Sequence, residues 1–274
     1  MDERRAQALH GLSGTGLGSR LVSYDERDAI LYAIAVCAPS TDLDLVYERN
    51  LRVIPTYAMA LGLWAVEEAG ALGAYDATRS LHVGQRLSIL RRLPSNGRIE
   101  MDGAIGGVWD KGSAALVQVS VRSEYFTADY DIYAVGAGGF GGERGPSTSD
   151  ATHHGTPEFS VIQPTRDDQA ALYRLTGDLH PVHIDPVVAR ASGFERPILH
   201  GLCTLGIAAR AIATASGSHP AELSSLTARF TAPVLPGTPL EIHGWRSGDV
   251  RSFVVLDDGS TTILRGSVEF AGVQ

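Results

Sequence analysis

Asp178 and His183 lie five residues apart in the run Tyr173-Arg174-Leu175-Thr176-Gly177-Asp178-Leu179-His180-Pro181-Val182-His183-Ile184-Asp185-Pro186, the densest cluster of titratable side chains in the sequence. Gly177 precedes the pair and Pro181 interrupts it, so the spacing predicts a fixed, non-helical loop that aims both side chains at one point. A carboxylate and an imidazole that converge can hold a water between them and move its proton, which is what general acid–base chemistry requires. An imidazole suits that work near neutral pH. The bland reading of the same residues is a turn or N-cap aspartate beside a satisfied core histidine.

The residues C-terminal to the loop support the chemical reading. Asp185-Pro186 predicts an N-cap with proline at the first helical position, residues 187–192 a short helix, and Gly193 its stop. After Arg196-Pro197-Ile198-Leu199-His200 a second helix is expected from about Gly201 to about Thr214, apolar on nearly every face through Leu202, Cys203, Leu205, Ile207, Ala208 and Ile212. A helix of that kind is buried. Gly201 falls at its N-terminus, where unpaired N–H groups and the dipole favour negative charge. A peptide N–H there could stabilise an enolate-like oxygen.

These two runs resemble the hydratase motif of the MaoC-like, hotdog-fold (R)-specific enoyl-CoA hydratases, the type also present in peroxisomal multifunctional enzyme type 2. That motif is approximately Y-x-L-S/T-G-D-x-N-P-x-H-x-D-P, then P-I-L-H-G-L-C. Tyr173, Leu175, Thr176, Gly177, Asp178, Pro181, His183, Asp185 and Pro186 match its first part, and Pro197, Ile198, Leu199, His200, Gly201, Leu202 and Cys203 its second. The resemblance implies reversible hydration of a trans-2-enoyl-CoA to the (3R)-3-hydroxyacyl-CoA, with Asp178, His183 and Gly201 as the catalytic groups. It implies no metal and no cofactor, since coenzyme A arrives as part of the substrate and its thioester acidifies C2. One departure is His180, which stands where the family has an asparagine that positions the catalytic groups. Either it keeps a hydrogen-bond donor there or it marks altered activity.

Composition sets the bounds. A chain of 274 residues accommodates one large domain or two smaller ones, each with its own core. A formal net charge of -8 offers no basic footprint, so nucleic acid is not an expected partner. No run reaches the apolar length of a membrane span. Arg4-Arg5 is followed by no apolar stretch, Ala271-Gly272-Val273-Gln274 is not a peroxisomal tripeptide, and two cysteines, Cys37 and Cys203, make no disulfide framework. The expected location is the cytoplasm.

From the N-terminus, residues 1–20 are expected to be a loose arm. A short apolar helix comes next at 29–35, then strands at 86–93, 98–111, 114–125 and 129–135. The second half repeats this plan: Leu31-Tyr32-Ala33-Ile34 aligns with Leu172-Tyr173-Arg174-Leu175, and Arg52-Val53-Ile54-Pro55-Thr56-Tyr57 with Arg196-Pro197-Ile198-Leu199-His200-Gly201. Cys37 then stands opposite Asp178, and Tyr57 opposite Gly201. Later strands are expected at about 239–245, 251–256 and 262–270. Periodicity alone gives α+β, duplicated. With the resemblance, which extends to Arg229-Phe230 and Pro233 to Gly237, the expectation becomes a double hotdog: 21–135 as a hotdog without the acid–base pair, 136–157 as a linker, and 158–274 as the catalytic hotdog. Two long central helices are expected. The first half would leave room for an acyl chain, lined from Tyr57 onward, and Arg229 would either pair with a carboxylate or meet the coenzyme A phosphates.

Three patterns compete. Gly136-Ala137-Gly138-Gly139-Phe140-Gly141 fits a dinucleotide fingerprint, but Gly142 to Ser147 is rich in helix breakers. His180 and His183, with Asp178, Asp185 and His200 nearby, suggest a metal cluster, yet Pro181 breaks the helical spacing zinc sites use and no cysteine pair accompanies them. His153-His154 is expected to be solvated in the linker. Other readings of the same fold are a non-catalytic acyl-CoA-binding or partner subunit and an acyl-CoA thioesterase. Homodimerisation through sheet edges is expected by analogy.

Overall fold

The computed structural model describes residues 9, 11–76, 79–146 and 155–271. The described residues form ten strands: β1 (Gly16–Tyr24), β2 (Ser80–Ile89), β3 (Gly97–Asp110), β4 (Ala114–Arg122), β5 (Phe126–Val135), β6 (Phe159–Gln163), β7 (Leu223–Phe230), β8 (Leu240–Ser247), β9 (Val250–Leu256) and β10 (Thr262–Phe270). They make one antiparallel sheet in the order β1-β3-β4-β5-β2-β7-β10-β9-β8-β6. Each half, taken from its own edge inward, has the same topology, 1-3-4-5-2 and 6-8-9-10-7. The halves join where β2 pairs with β7, from Gly84 opposite Arg229 to Ser88 opposite Ser225. The chain is therefore α+β, a double hotdog.

The helices are α1 (Glu26–Ala35), α2 (Leu43–Val46), α3 (Tyr57–Leu61), α4 (Trp64–Ala71), α5 (Gln169–Tyr173), α6 (Pro186–Ala191) and α7 (Gly201–Ala215). Helix α7 is the expected central helix, and every residue from Leu202 to Ala213 is buried. It crosses α1 closely: a Cβ on Gly206 would lie 2.7 Å from Val36 Cγ1 and 2.9 Å from the Tyr32 hydroxyl. Cys203 donates to the Ala35 carbonyl at 3.4 Å, as a small core residue would.

The central helix of the first half departs from expectation. It is broken between α3 and α4 at Gly62-Leu63. A continuous helix would give the Met59 carbonyl to the Leu63 N–H; here that N–H bonds Ala60 at 3.3 Å. The Tyr130 hydroxyl donates to Met59 O instead, at 2.7 Å. A Cβ on Gly62 would lie 2.6 Å from that hydroxyl, so the break depends on glycine.

Other boundaries also move. Residues 16–20, expected in the loose arm, belong to β1 and pair with β3. Strand β2 begins at Ser80 and not at 86. Edge strand β6 is absent from the expected elements. The glycine run after β5 closes the first half's sheet, since the Asp110 carboxylate accepts from the N–H groups of Gly112 (2.8 Å), Gly139 (2.9 Å) and Gly141 (2.8 Å). No helix succeeds it directly among the described residues. His153 and His154 lie outside them.

The position in the first half that mirrors the acid–base loop is filled. Cys37, at φ 63°, takes the place of Asp178. Its thiol lies 3.5 Å from Gln169 Oε1, and Gln169 donates to Ala35 O at 2.7 Å. Arg210, buried in α7, donates to Val36 O at 2.9 Å.

Candidate active site

The loop that carries Asp178 is shaped by its own sequence. Helix α5 runs into a 3-10 turn (Arg174–Thr176) that stops at Gly177, whose φ of 133° is costly for any residue with a Cβ. Asp178 Oδ1 then accepts the His180 N–H at 3.3 Å. Pro181 opens a second 3-10 turn (Pro181–His183), capped by His180 Nδ1 accepting the Val182 N–H at 3.3 Å. Asp185 caps α6 by accepting the Val187 N–H at 2.7 Å, with Pro186 at the first helical position as expected. The loop returns Asp178 to the start of α7.

There the side-chain atoms of Asp178, His183 and His200 come within 4.8 Å of one another. His183 Nδ1 lies 2.9 Å from the Ile198 carbonyl, which can only accept, so Nδ1 carries the proton and Nε2 a lone pair. Burial lowers the His183 pKa to about 4, and the ring is a neutral base at pH 7. Burial raises the Asp178 carboxyl above its ordinary value, against the pull of the His180 N–H and imidazole. A carboxyl with a raised proton affinity beside a free imidazole lone pair can hold a water and pass protons. Gly201 is exposed at the N-terminus of α7, where the first N–H groups have no intrahelical acceptor. Phe230 closes over it: a Cβ on Gly201 would lie 3.1 Å from the ring.

The same three side chains are close enough to be considered as metal ligands. The His183 and His200 rings are stacked, with centroids 3.7 Å apart and planes at 26°. Each ring has one nitrogen engaged with a carbonyl, which leaves the lone pair on the other nitrogen.

The family descriptions that match the chain divide it as the sheet does: "MFE-2 hydratase 2 N-terminal domain" over residues 22–138 and "MaoC like domain" over 148–263. A 3-hydroxyacyl-thioester dehydratase Y of Mycobacterium tuberculosis is 35% identical, over 90% of this chain and 95% of its own. The chain belongs to the MaoC-like hydratase family. A peroxisomal enoyl-CoA hydratase 2 of Arabidopsis thaliana is 33% identical, over 92% of this chain and 91% of its own. The crystal structure of a MaoC-like dehydratase from Phytophthora capsici has the same fold, with a TM-score of 0.85, 24% identity and coverage of 95% of this chain and 96% of that one.

Within this MaoC-like chain, not every expected site residue reaches the loop. Tyr57 is only 4% exposed and packs its ring on Tyr32 (4.8 Å) and Tyr24 (5.4 Å), so it belongs to the core and not to a pocket wall. Arg229 is placed by the pleat of β7: Phe230 points to Gly201, so Arg229 faces the opposite side of the sheet. His180 is exposed, 6.2 Å from His183 between ring centroids, and its capping bond fixes Nε2–H as a donor. Three neighbours of the site have roles that the sequence does not signal: His200, Phe230 and Glu67 of α4, whose carboxyl is raised by burial and then by the charge of Asp178. Cavities of about 250 and 430 Å³ lie elsewhere, by Tyr75 and Arg79 and by Trp109 and Glu143.

The buried rings are expected to make the fold acid-labile. Burial lowers the pKa of His82 and His183 to about 4 and that of His200 to about 2. In the unfolded chain each titrates near 6.5. Below pH 6.5 the unfolded state therefore takes up protons that the folded state refuses, and stability, complete above that pH, falls as pH drops toward 4. Asp178 and Glu67, with raised folded pKa values, run the other way, and His180, lowered by burial, adds to the three rings. Between pH 7 and 5 the denaturation midpoint should fall by the equivalent of roughly 2–4 kcal/mol. A midpoint that stays constant would show these imidazoles to be solvated.

Proposed function

We propose that the protein adds water reversibly to a trans-2-enoyl-CoA, giving the (3R)-3-hydroxyacyl-CoA, as a hydro-lyase of fatty-acyl or related acyl-CoA metabolism. The observation that carries this reading is the convergence of Asp178 and His183 immediately before the open N-terminus of α7. Water held between them loses a proton to the His183 Nε2 lone pair as its oxygen bonds to C3. Negative charge moves onto the thioester oxygen, where the Gly201 N–H donates to it. Asp178, with its raised proton affinity, relays the proton from the His183 imidazolium to C2, so both groups end the cycle as they began it. One water is consumed and no electron changes owner, so no cofactor is required beyond the coenzyme A of the substrate.

Two names among the relatives, a thioester dehydratase and an enoyl-CoA hydratase, support the substrate class. Leu175, Leu179, Ile184 and Val187 are exposed on the same loop and give it an apolar rim suited to an acyl chain or pantetheine arm. His180 keeps a donor where the family has an asparagine amide. The reading extends to a homodimer and to the cytoplasm, a location that free thiols at Cys37 and Cys203 suit; no described helix is long and apolar enough to cross a membrane.

The test is the loss of enoyl-thioester absorbance when purified protein meets a medium-chain trans-2-enoyl-CoA. The expected result is decay to an equilibrium mixture containing the 3-hydroxyacyl-CoA. Inactivity on short, long and steroidal enoyl-CoAs alike would overturn the proposal.

A further inference from the structure

His200 is wholly buried, at 0% exposure, and occupies the N-cap position of α7, one residue before Gly201. Its Nε2 lies 3.2 Å from the main-chain carbonyl of Asp178. A carbonyl only accepts, so Nε2 carries the proton and the ring is neutral, with its lone pair on Nδ1. The face of the ring stacks on His183. Tyr173 lies against it as well, with centroids 4.9 Å apart. One side chain thus touches the backbone of the aspartate and the ring of the histidine, and is covalently joined to the glycine.

A phenylalanine would fill the same space and stack as well. It would also avoid the cost of Nδ1, which is buried without a hydrogen-bond partner. That cost is intelligible if the Nε2–H bond is what the site uses. We infer that His200 is a positioning residue of the acid–base pair, holding Asp178 by its carbonyl and His183 by its ring face in register with the Gly201 N–H. The inference rests on the hydratase reading for its kinetic consequences, but the geometry it claims does not. Groups around the ring are His183, His180, Asp178, Arg174 and Tyr173. Burial first, and the Arg174 guanidinium after it, oppose a charge on the ring, so it stays a neutral donor through the working pH range.

Two replacements separate the two contacts. His200→Phe keeps the stack and removes the N–H; His200→Gln keeps an amide donor and removes the ring. Relative to the unmodified protein on one trans-2-enoyl-CoA, His200→Phe is expected to lose about 10- to 100-fold in kcat with KM moved less than about threefold, the scale of a displaced catalytic group. His200→Gln should recover part of that loss. The titration of the His183 ring, followed by NMR without substrate, should stay low in His200→Phe and rise toward 6.5 in His200→Gln, where the stacked face is opened to water. If both variants keep kcat within about twofold, or if His183 titrates identically in all three proteins, His200 is a core residue and the inference falls. Should His200→Phe fail to fold, His200→Gln decides by the same two readouts. Should the unmodified protein have no hydratase activity, the His183 titration alone decides the placement, and only the reading of the reaction is lost.

Discussion

Asp178→Asn is expected to lower kcat for enoyl-CoA hydration by at least about 100-fold, the usual scale for losing an acid–base group. Asparagine has nearly the shape of aspartate and can still accept the His180 N–H that shapes the loop. It cannot take up or release a proton. Stability supplies the control that separates chemistry from folding. Burial raises the Asp178 carboxyl pKa, so at neutral pH its ionised form costs folding free energy, and a neutral amide removes that cost. The variant should unfold at the same denaturant concentration as the parent, or a higher one, while turning over far more slowly. Full activity in Asp178→Asn would eliminate the carboxylate from the mechanism; equal losses of activity and stability would make the residue structural.

The parts of this site that are legible in the sequence are those set by local signals. Gly177 and Pro181 mark the loop, Asp185-Pro186 starts α6, and the all-round apolar run after Gly201 marks α7 as buried; each depends on neighbours within a turn or two. The duplication is legible too, and the strand order repeats it. Edge strands β1 and β6 are not: β1 is mostly exposed along its length and β6 offers only five residues, so neither carries a strong apolar alternation. The break between α3 and α4 is illegible for another reason. It depends on Tyr130, 71 residues from the Met59 carbonyl it binds. Tyr57 aligns with Gly201, but alignment does not tell which of two equivalent helix starts is covered, and Tyr24 and Tyr32 cover this one. His200 stands in the motif without a visible role because its partner, the Asp178 carbonyl, is 22 residues away.

His183→Ala is expected to cost at least as much as Asp178→Asn in kcat, but by a different signature. The imidazole has one nitrogen committed to the Ile198 carbonyl and the other free, so truncation removes the base and leaves a hole of its shape beside Asp178. Small imidazole added to the solution can enter such a hole from the exposed side of the loop, place a lone pair near the water and restore part of the rate. It cannot do so for Asp178→Asn, where the missing group is a carboxyl and the His183 ring still fills its place. The pH profile should change as well. In the parent, kcat/KM should fall on the acid side as His183 protonates, near pH 4, although loss of the fold at low pH will contribute. In the rescued variant that limb should move up toward the neutral range, where a free imidazole titrates, because the small base takes its proton in solution before it binds. Rescue with a displaced limb assigns the base to position 183. Absence of rescue together with an unchanged acid limb would move the base elsewhere in the site, with His180 the next ring to replace.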